Sequence, residues 1–377
     1  MWLGLHAGAR ALDSVGKQSN RITVVSKLPR SARASVAGVV LASQAWVPLL
    51  FSLGVGPLAQ PAAAQTPGKP QSILLVTYAV TKAAYDKIIP LFVADWKKKT
   101  GQSVVVRTSY GGSGSQTRAV IDGLEADVVA LAIASDITKL EKAGLIKPGW
   151  QNELPNQSVA TNSTVGTFVR PGNAKKIFTW SDLDNKNVES VLANPKTSGG
   201  ARWNFVALWG AISQSGGGEI AAKRFITGVF KNAEVLPKDA REATDTFLKR
   251  GQGDVLLNRE TEGFLAKRNG ELPGGYRVFS PNVLTEMPHT VVDKNADKHG
   301  TRRVAEAFTR FLYTPPAQKI FVDNGFRPVT PEGKSYARGK FPNVKFFRIG
   351  DLGGWGETDK KFFGKGGIWD QIFAQTR

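Results

Sequence analysis

Cysteine is absent from the 377 residues, and histidine occurs only three times, at His6, His289 and His299. Without thiols there is no disulfide framework, no thiolate nucleophile and no cysteine-held metal. Three scattered histidines leave little for a zinc centre or a histidine-based triad, and no Gly-x-Ser-x-Gly elbow stands with a histidine partner. Acidic residues are also scarce, 31 against 50 Lys and Arg, for a formal net charge of +19. The commonest routes to enzyme catalysis are thereby disfavoured, and an anionic ligand, an anionic surface or nucleic acid is raised as a partner.

What is present is a globular composition, 41% hydrophobic with 40 Gly and 20 Pro, enough for two lobes with cores of their own. No internal repeat of fixed period is visible. Residues 1–64 read as an export signal: Lys27, Arg30 and Arg33 precede an apolar run from Ala37 to Leu58, and Ala62-Ala63-Ala64 offers a cleavage site. Retained, Val36 to Leu58 approaches the length of a membrane anchor, although Gln44, Pro48 and Pro57 interrupt it. Cleavage removes six basic residues and one acid and leaves +14.

After a Pro/Gly linker over 65–71, the chain alternates strand and helix. Ser72 to Tyr78 reads as a buried parallel strand, Thr81 to Thr100 as a helix ending in three lysines and Gly101, and Ser103 to Thr108 as the next strand. Gly111 to Gln116 then leads into a helix from Thr117 to Leu124, with a third strand over Asp127 to Ile133 and a helix over Ile137 to Ala143. That alternation is the signature of a doubly wound α/β sheet. Leu154-Pro155-Asn156 reads as a crossing to a second lobe, and Thr164 to Val169 as a strand within it. Further on, Glu219 to Phe230 is helical, Ala233 to Leu236 and Gly253 to Arg259 read as strands, and Asp239 to Thr244 forms a loop and helix start. Tyr276 to Ser280 and Thr290 to Asp293 bracket the return, followed by helices over Thr301 to Tyr313 and Pro315 to Asn324.

Two stretches carry the chemistry. Lys196-Thr197-Ser198-Gly199-Gly200-Ala201-Arg202-Trp203 places a hydroxyl and two glycines before a long apolar helical run, and Gly111-Gly112-Ser113-Gly114-Ser115-Gln116 repeats that arrangement upstream. A helix start presents free N–H groups at the positive end of its dipole, which suits an anion. The upstream loop lacks the Gly-Lys-Ser/Thr ending of a nucleotide P-loop. Ser113 and Ser198 offer hydroxyls, and the glycines admit an anion close to the backbone. Four other features compete for a role. His289 and His299 read as exposed or hinge residues. Glu260 and Glu262 share a strand face by parity and read as solvated. The basic and aromatic runs Lys345 to Arg348 and Lys360 to Phe363 suit nucleic-acid stacking or, equally, amphipathic edges, and Lys196 and Arg202 read as flanking charges.

The quoted stretches, together with Tyr78-x-x-Thr81, Ala119 to Val128, Asn194 to Asn204 and Val292-Asp293-Lys294-Asn295, resemble the periplasmic sulfate/thiosulfate-binding proteins that serve ABC importers. The resemblance spans about Ile73 to Phe373. It implies an α/β, two-lobed periplasmic binding protein (type II) fold, each lobe a mixed sheet flanked by helices. It also implies lobe 1 over 72–155 with a return over 285–345, lobe 2 over 156–284, and a tail over 346–377 packed on the lobes. By matching motifs it carries oxyanion-binding roles to Ser113, Ser198, Gly199 and Gly200, and backbone donor roles to Ala79, where aspartate is usual, and Ala240, within Asp239-Ala240-Arg241-Glu242 where Gly-Ala-Arg-Gly is usual. Arg259 stands where an aromatic donor is usual, and either contacts the anion in bidentate fashion or turns outward to Glu260 or Glu262.

The resemblance thus implies a monomeric, periplasmic protein that captures sulfate or thiosulfate for a membrane permease, without cofactor, metal, catalysis or nucleic acid. Capture of another tetrahedral oxyanion such as molybdate or phosphate is the alternative. An exported enzyme acting on anionic esters through Ser198 and Arg259, and salt-sensitive adhesion of a +14 protein to anionic surfaces, are rivals of other classes.

Overall fold

The computed structural model describes residues 69–272 and 274–376, so the segment expected to be an export signal, 1–64, and most of the expected linker lie outside the described residues. The first strand, β1 (Gln71–Tyr78), is apolar on both faces, and both faces are covered. Ile73 and Leu75 belong to one core and Val76 to another, which is what a continuous apolar run at the centre of a parallel sheet requires. It is flanked in parallel by β2 (Val104–Gly111) and β3 (Val128–Ala130). The connecting helices are α1 (Lys82–Thr100), α2 (Ser113–Ile121) and, after β3, α3 (Ala134–Lys142). In α1 the residues Ala84, Tyr85, Ile88, Phe92 and Trp96 recur at helical spacing and are all buried. Gly101, at φ 69°, ends the helix in the left-handed cap that three terminal lysines lead into.

A short left-handed turn, α4 (Pro155–Ser158), precedes β4 (Val159–Ser163). A boundary between 155 and 156 assigns β4 to lobe 2, yet it pairs antiparallel with β10 (Thr285–Val291) and β11 (Arg327–Pro328) in the larger sheet. That sheet has the order β11-β4-β10-β3-β1-β2. The crossing therefore lies at Thr164. Its alternating sequence suits a strand on either side, so local pattern does not locate the switch.

Lobe 2 carries the sheet β6-β7-β5-β8, made of β5 (Val165–Val169), β6 (Ser190–Val191), β7 (Val255–Arg259) and β8 (Tyr276–Arg277). Both sheets are mixed, and the architecture is the two-lobed α/β arrangement expected. The second core gathers around α5 (Gly199–Ile212), whose residues from Gly199 to Ala211 are all buried, and α6 (Gly218–Lys231). Ala233 to Leu236 joins no ladder, and β7 ends where α8 (Glu260–Arg268) begins. Two crossings run side by side: the Thr164 hydroxyl donates to the carbonyl of Val283, in β9 (Asn282–Val283), at 2.8 Å.

The return segment adds α9 (Asp293–His299), α10 (Arg302–Phe311) and α11 (Pro315–Asp323) to the first core, and α12 (Pro331–Tyr336) packs on α11. The chain then passes back through β12 (Phe346–Phe347), parallel to β9. Its end, with α13 (Gly354–Thr358) and α14 (Ile368–Thr376), lies against α5 and α6. Phe347, Trp355, Phe362, Phe363 and Trp369 join the second core, so the aromatic members of the two basic and aromatic runs are packing residues, with Phe346 only partly covered.

Candidate functional site

Four element starts converge between the lobes. From lobe 1 come α2 and the single 3-10 turn Ala79–Thr81 that leads into α1. From lobe 2 come α5 and α7 (Ala240–Leu248). They line a small cavity together with Tyr78, Ala132 and Arg259. Ala79, Ser113, Ser198, Gly200, Ala240 and Arg259 all reach its wall, and Gly199 stands beside them, where a Cβ would lie 3.1 Å from that of Ser113. The seven residues singled out in the sequence are thus brought together at one place.

Local sequence explains the convergence. Ser198 is extended and caps α5, its Oγ accepting from the Ala201 N–H at 3.2 Å, so Gly199 and Gly200 form the first turn and their amides are left to the cavity. Asp239 caps α7 in the same way, accepting from Glu242 N–H at 2.9 Å, with Ala240 as the first helical residue. In α2 the cap is extended Gly112, and the helix starts four residues earlier than expected, at Ser113 itself. The glycines serve close approach. A Cβ on Gly112 would meet the Thr197 carbonyl oxygen at 2.7 Å, so the two loops stand closed on each other, backbone against backbone.

The two serines are not equivalent. Ser113 Oγ donates to Asp136 at 2.7 Å and accepts from the Ala132 N–H at 3.0 Å, so its proton is held away from the cavity and only its amide is on offer. Ser198 accepts a capping bond, which leaves its hydroxyl proton free to donate. The expectation of two matching hydroxyl donors is therefore corrected to one. Asp136, fully buried, is held on its other side by Lys139 at 2.8 Å. Sequence reasoning missed it, along with Ala132, because nothing in a helix's first turn marks an acid as reaching another loop.

Arg259 is 1% exposed and turns neither to Glu260 nor to Glu262. Nη1 donates to Thr285 Oγ1 at 3.0 Å, Nη2 to the Ala132 carbonyl at 3.2 Å, and the guanidinium lies 5.1 Å from the centre of the Tyr78 ring. Its Nε has no acceptor among the described residues and lies 3.8 Å from where a Gly200 Cβ would be. Nε–H is therefore wholly uncommitted, and each Nη keeps a second N–H beside its bond. Burial holds the guanidinium below the usual arginine range, partly offset by Tyr78 and Glu262, and it remains a cation at neutral pH. Among the described residues no carboxylate pairs with it. The wall is not purely a set of neutral donors: Arg259 adds a full charge, and Asp239 adds a carboxylate with one oxygen committed to its cap.

The remaining candidates lie elsewhere. Glu260 and Glu262 are buried on a helix, not solvated on a strand. Glu260 is held by Arg327 at 2.6 and 2.9 Å, and Glu262 by Thr244 at 2.7 Å and Arg241 at 2.8 Å. Burial pushes both carboxyls up, against the arginines. Lys196 and Arg202 anchor the tail through Asp370 at 2.6 Å and Asp359 at 3.1 Å. His289, expected to be exposed or at a hinge, is buried within β10 at 1% exposure, because the Met287-Pro288-His289 stretch continues the strand into the first core. His299 binds Asp127 at 2.9 Å and Glu125 at 3.0 Å. Neither histidine touches the cavity.

Residues 73–327 match the family described as bacterial extracellular solute-binding protein. A sulfate-binding protein of Synechococcus elongatus is 54% identical over 81% of this chain and 87% of its own. A thiosulfate-binding protein of Pseudomonas aeruginosa is 38% identical over 81% and 92%. Among solved structures, the sulfate-binding protein SubI of Mycobacterium tuberculosis superposes with a TM-score of 0.71 at 35% identity, covering 78% of this chain and 99% of that one. The chain belongs to the sulfate-binding protein family. In the cavity described above, Arg259 is the one buried cation without a carboxylate partner among the described residues.

Proposed function

We propose that the chain is an extracytoplasmic solute-binding protein that captures sulfate between its two lobes and delivers it to the membrane permease of an ABC importer. The observation that carries the reading is the convergence of α2, α5 and α7 on one small cavity walled by amides, the Ser198 hydroxyl and the unpaired Nε–H of Arg259. The names of the relatives point the same way. The anion is bound by the amides of Ala79, Ser113, Gly199, Gly200 and Ala240, by Ser198 Oγ and by Arg259. Residues 1–64 direct export, and the protein acts as a monomer.

No bond is broken in this reading: neither histidine reaches the cavity, and the Ser113 hydroxyl is turned to Asp136 and away from it. Selectivity follows from protons. Sulfate needs donors only, whereas hydrogenphosphate brings a proton whose burial costs about 1–3 kcal/mol unless the Asp239 oxygen that its cap leaves free accepts it. Thiosulfate, also a dianion without a proton, is the second reading, favoured by thiosulfate-binding relatives.

Thermal unfolding of the protein lacking residues 1–64, in chloride buffer with sulfate, thiosulfate, molybdate or phosphate added, tests the proposal. A ligand at about 100 times its Kd adds about 2.7 kcal/mol of stability. Sulfate is expected to raise the transition and phosphate to leave it near the chloride value; an equal rise with phosphate, or none with sulfate, refutes the assignment.

A further inference from the structure

The guanidinium of Arg259 is pinned at two of its three nitrogens, and one of the pins is built differently from the other. Nη2 donates to the Ala132 carbonyl, which lies in lobe 1 on the loop between β3 and α3. Nη1 donates to the hydroxyl of Thr285, fully buried at the start of β10, where it pairs with Ser163 of β4. Thr285 and Ser163 are the residues next to the two side-by-side crossings. Ala132 stands in the wall of the cavity itself.

A guanidinium is planar with its donors in fixed directions, so fixing both Nη atoms fixes where Nε–H points. The Tyr78 ring, 5.1 Å away, covers the group, and its own hydroxyl donates to Met287 Sδ in the same strand as Thr285. Each Nη spends one of its two N–H groups in this way, and Nε is the one nitrogen of the group with no acceptor at all among the described residues, beside Gly200.

We infer that Thr285 is a positioning residue for oxyanion binding: its hydroxyl holds the Arg259 side chain so that Nε–H is delivered to the anion. The inference rests on the reading of Arg259 as an anion donor. Opening the lobes separates Ala132 from Arg259, because they belong to opposite walls, whereas Thr285 sits beside the crossing and moves least relative to β7. The hydroxyl thus keeps the cation extended toward the cleft before the anion arrives, and the Ala132 carbonyl completes its orientation on closure.

A double-mutant cycle read by calorimetric titration with sulfate tests this. Thr285→Val is expected to weaken sulfate binding about tenfold, in line with loss of one hydrogen bond to a charged group. Thr285→Ser, which keeps the hydroxyl, is expected to retain wild-type affinity, and in an Arg259→Met background Thr285→Val is expected to add nothing. Equal weakening by Thr285→Val in both backgrounds overturns the proposal, since the hydroxyl then acts through something other than Arg259. Wild-type affinity for Thr285→Val beside a weakened Arg259→Met overturns the positioning role alone. Wild-type affinity for Arg259→Met overturns the reading of Arg259 and the inference with it. Should Thr285→Val not fold, Thr285→Ala replaces it in the same cycle, with urea unfolding in the absence of sulfate as the check on integrity.

Discussion

Trp203 reaches out of α5 in lobe 2 and donates its indole Nε1–H to the carbonyl of Ala132 in lobe 1 at 2.7 Å. The same carbonyl accepts from Arg259 Nη2 at 3.2 Å, and the Ala132 N–H is donated to Ser113 Oγ at 3.0 Å. One residue of lobe 1 therefore collects bonds from α5, β7 and α2. Two of those three exist only while the lobes stand together, so the energy of closure is concentrated at the wall of the anion cavity.

Trp203→Phe tests that latch. The ring contact with Trp355, at 4.6 Å between centroids, survives the change, but the N–H does not. Loss of one buried hydrogen bond with its acceptor still partly satisfied by Arg259 costs about 1 kcal/mol. Because the bond forms after encounter, the cost is expected in dissociation: sulfate leaves severalfold faster in stopped-flow experiments while association changes little. An unchanged dissociation rate removes the latch role.

Gly112→Ala is expected to block closure without harming either lobe. Gly112 has φ −65°, which alanine adopts freely, yet its new Cβ would lie 2.7 Å from the Thr197 carbonyl oxygen. Thr197 cannot easily yield, since its hydroxyl donates to the Lys238 carbonyl at 2.6 Å. Overpacking of this kind costs about 1–3 kcal/mol, and here the cost falls on the closed form. Sulfate affinity drops about tenfold or more while the unfolding temperature without sulfate stays put. Gly356→Ala, whose methyl enters open space, is the control.

Ser198→Ala and Ser113→Ala should separate binding from stability. The Ser198 hydroxyl has a proton free for the anion and also caps α5, so its loss weakens sulfate binding by about 1.5–3 kcal/mol and stability by about 1 kcal/mol. The Ser113 hydroxyl is spent on Asp136 and Ala132. Its removal leaves a fully buried carboxylate short of a donor, so stability falls more than affinity does. Paired calorimetry and urea unfolding of the two variants read this difference, and the reverse pattern would exchange the roles assigned to the serines.

Much of this was legible in the chain. The apolar run of β1, the periodicity of α1 and the two Gly/Ser loops announce a sheet, its helices and two helix starts that meet at one cavity, because each element follows from local pattern. Three things were not. The crossing at Thr164 is hidden because β4 and β5 are both short strands separated by one residue, and only long-range pairing assigns them to different sheets. The helix start at Ser113 was set four residues too late because Ser-Gly-Ser has weak helical preference and is held by tertiary contacts. The direction of Arg259 depends on Thr285 and Ala132, which lie 26 and 127 residues away in sequence.

The two described histidines give the last prediction, because their environments act on stability in opposite senses. His289 is buried in β10, with Nε2 3.2 Å from the Thr309 carbonyl oxygen. Burial pushes its pKa down to about 4, against backbone hydrogen bonds to Thr309 and Ser158. The unfolded chain takes up this proton near pH 6.5 and the folded one near 4, so the protein loses stability as pH falls between those values, by about 3 kcal/mol in all. His299 carries the opposite sign. Hydrogen bonds to Asp127 and then Glu125 raise its pKa above the usual value, so its contribution is present in full below about 6.5 and is lost as pH rises through the folded value. Urea unfolding across pH 4 to 8 should therefore show His289→Gln gaining on the wild type as the pH falls, and His299→Gln gaining on it as the pH rises. Profiles that run parallel to the wild type would mean that neither ring changes its proton affinity on folding.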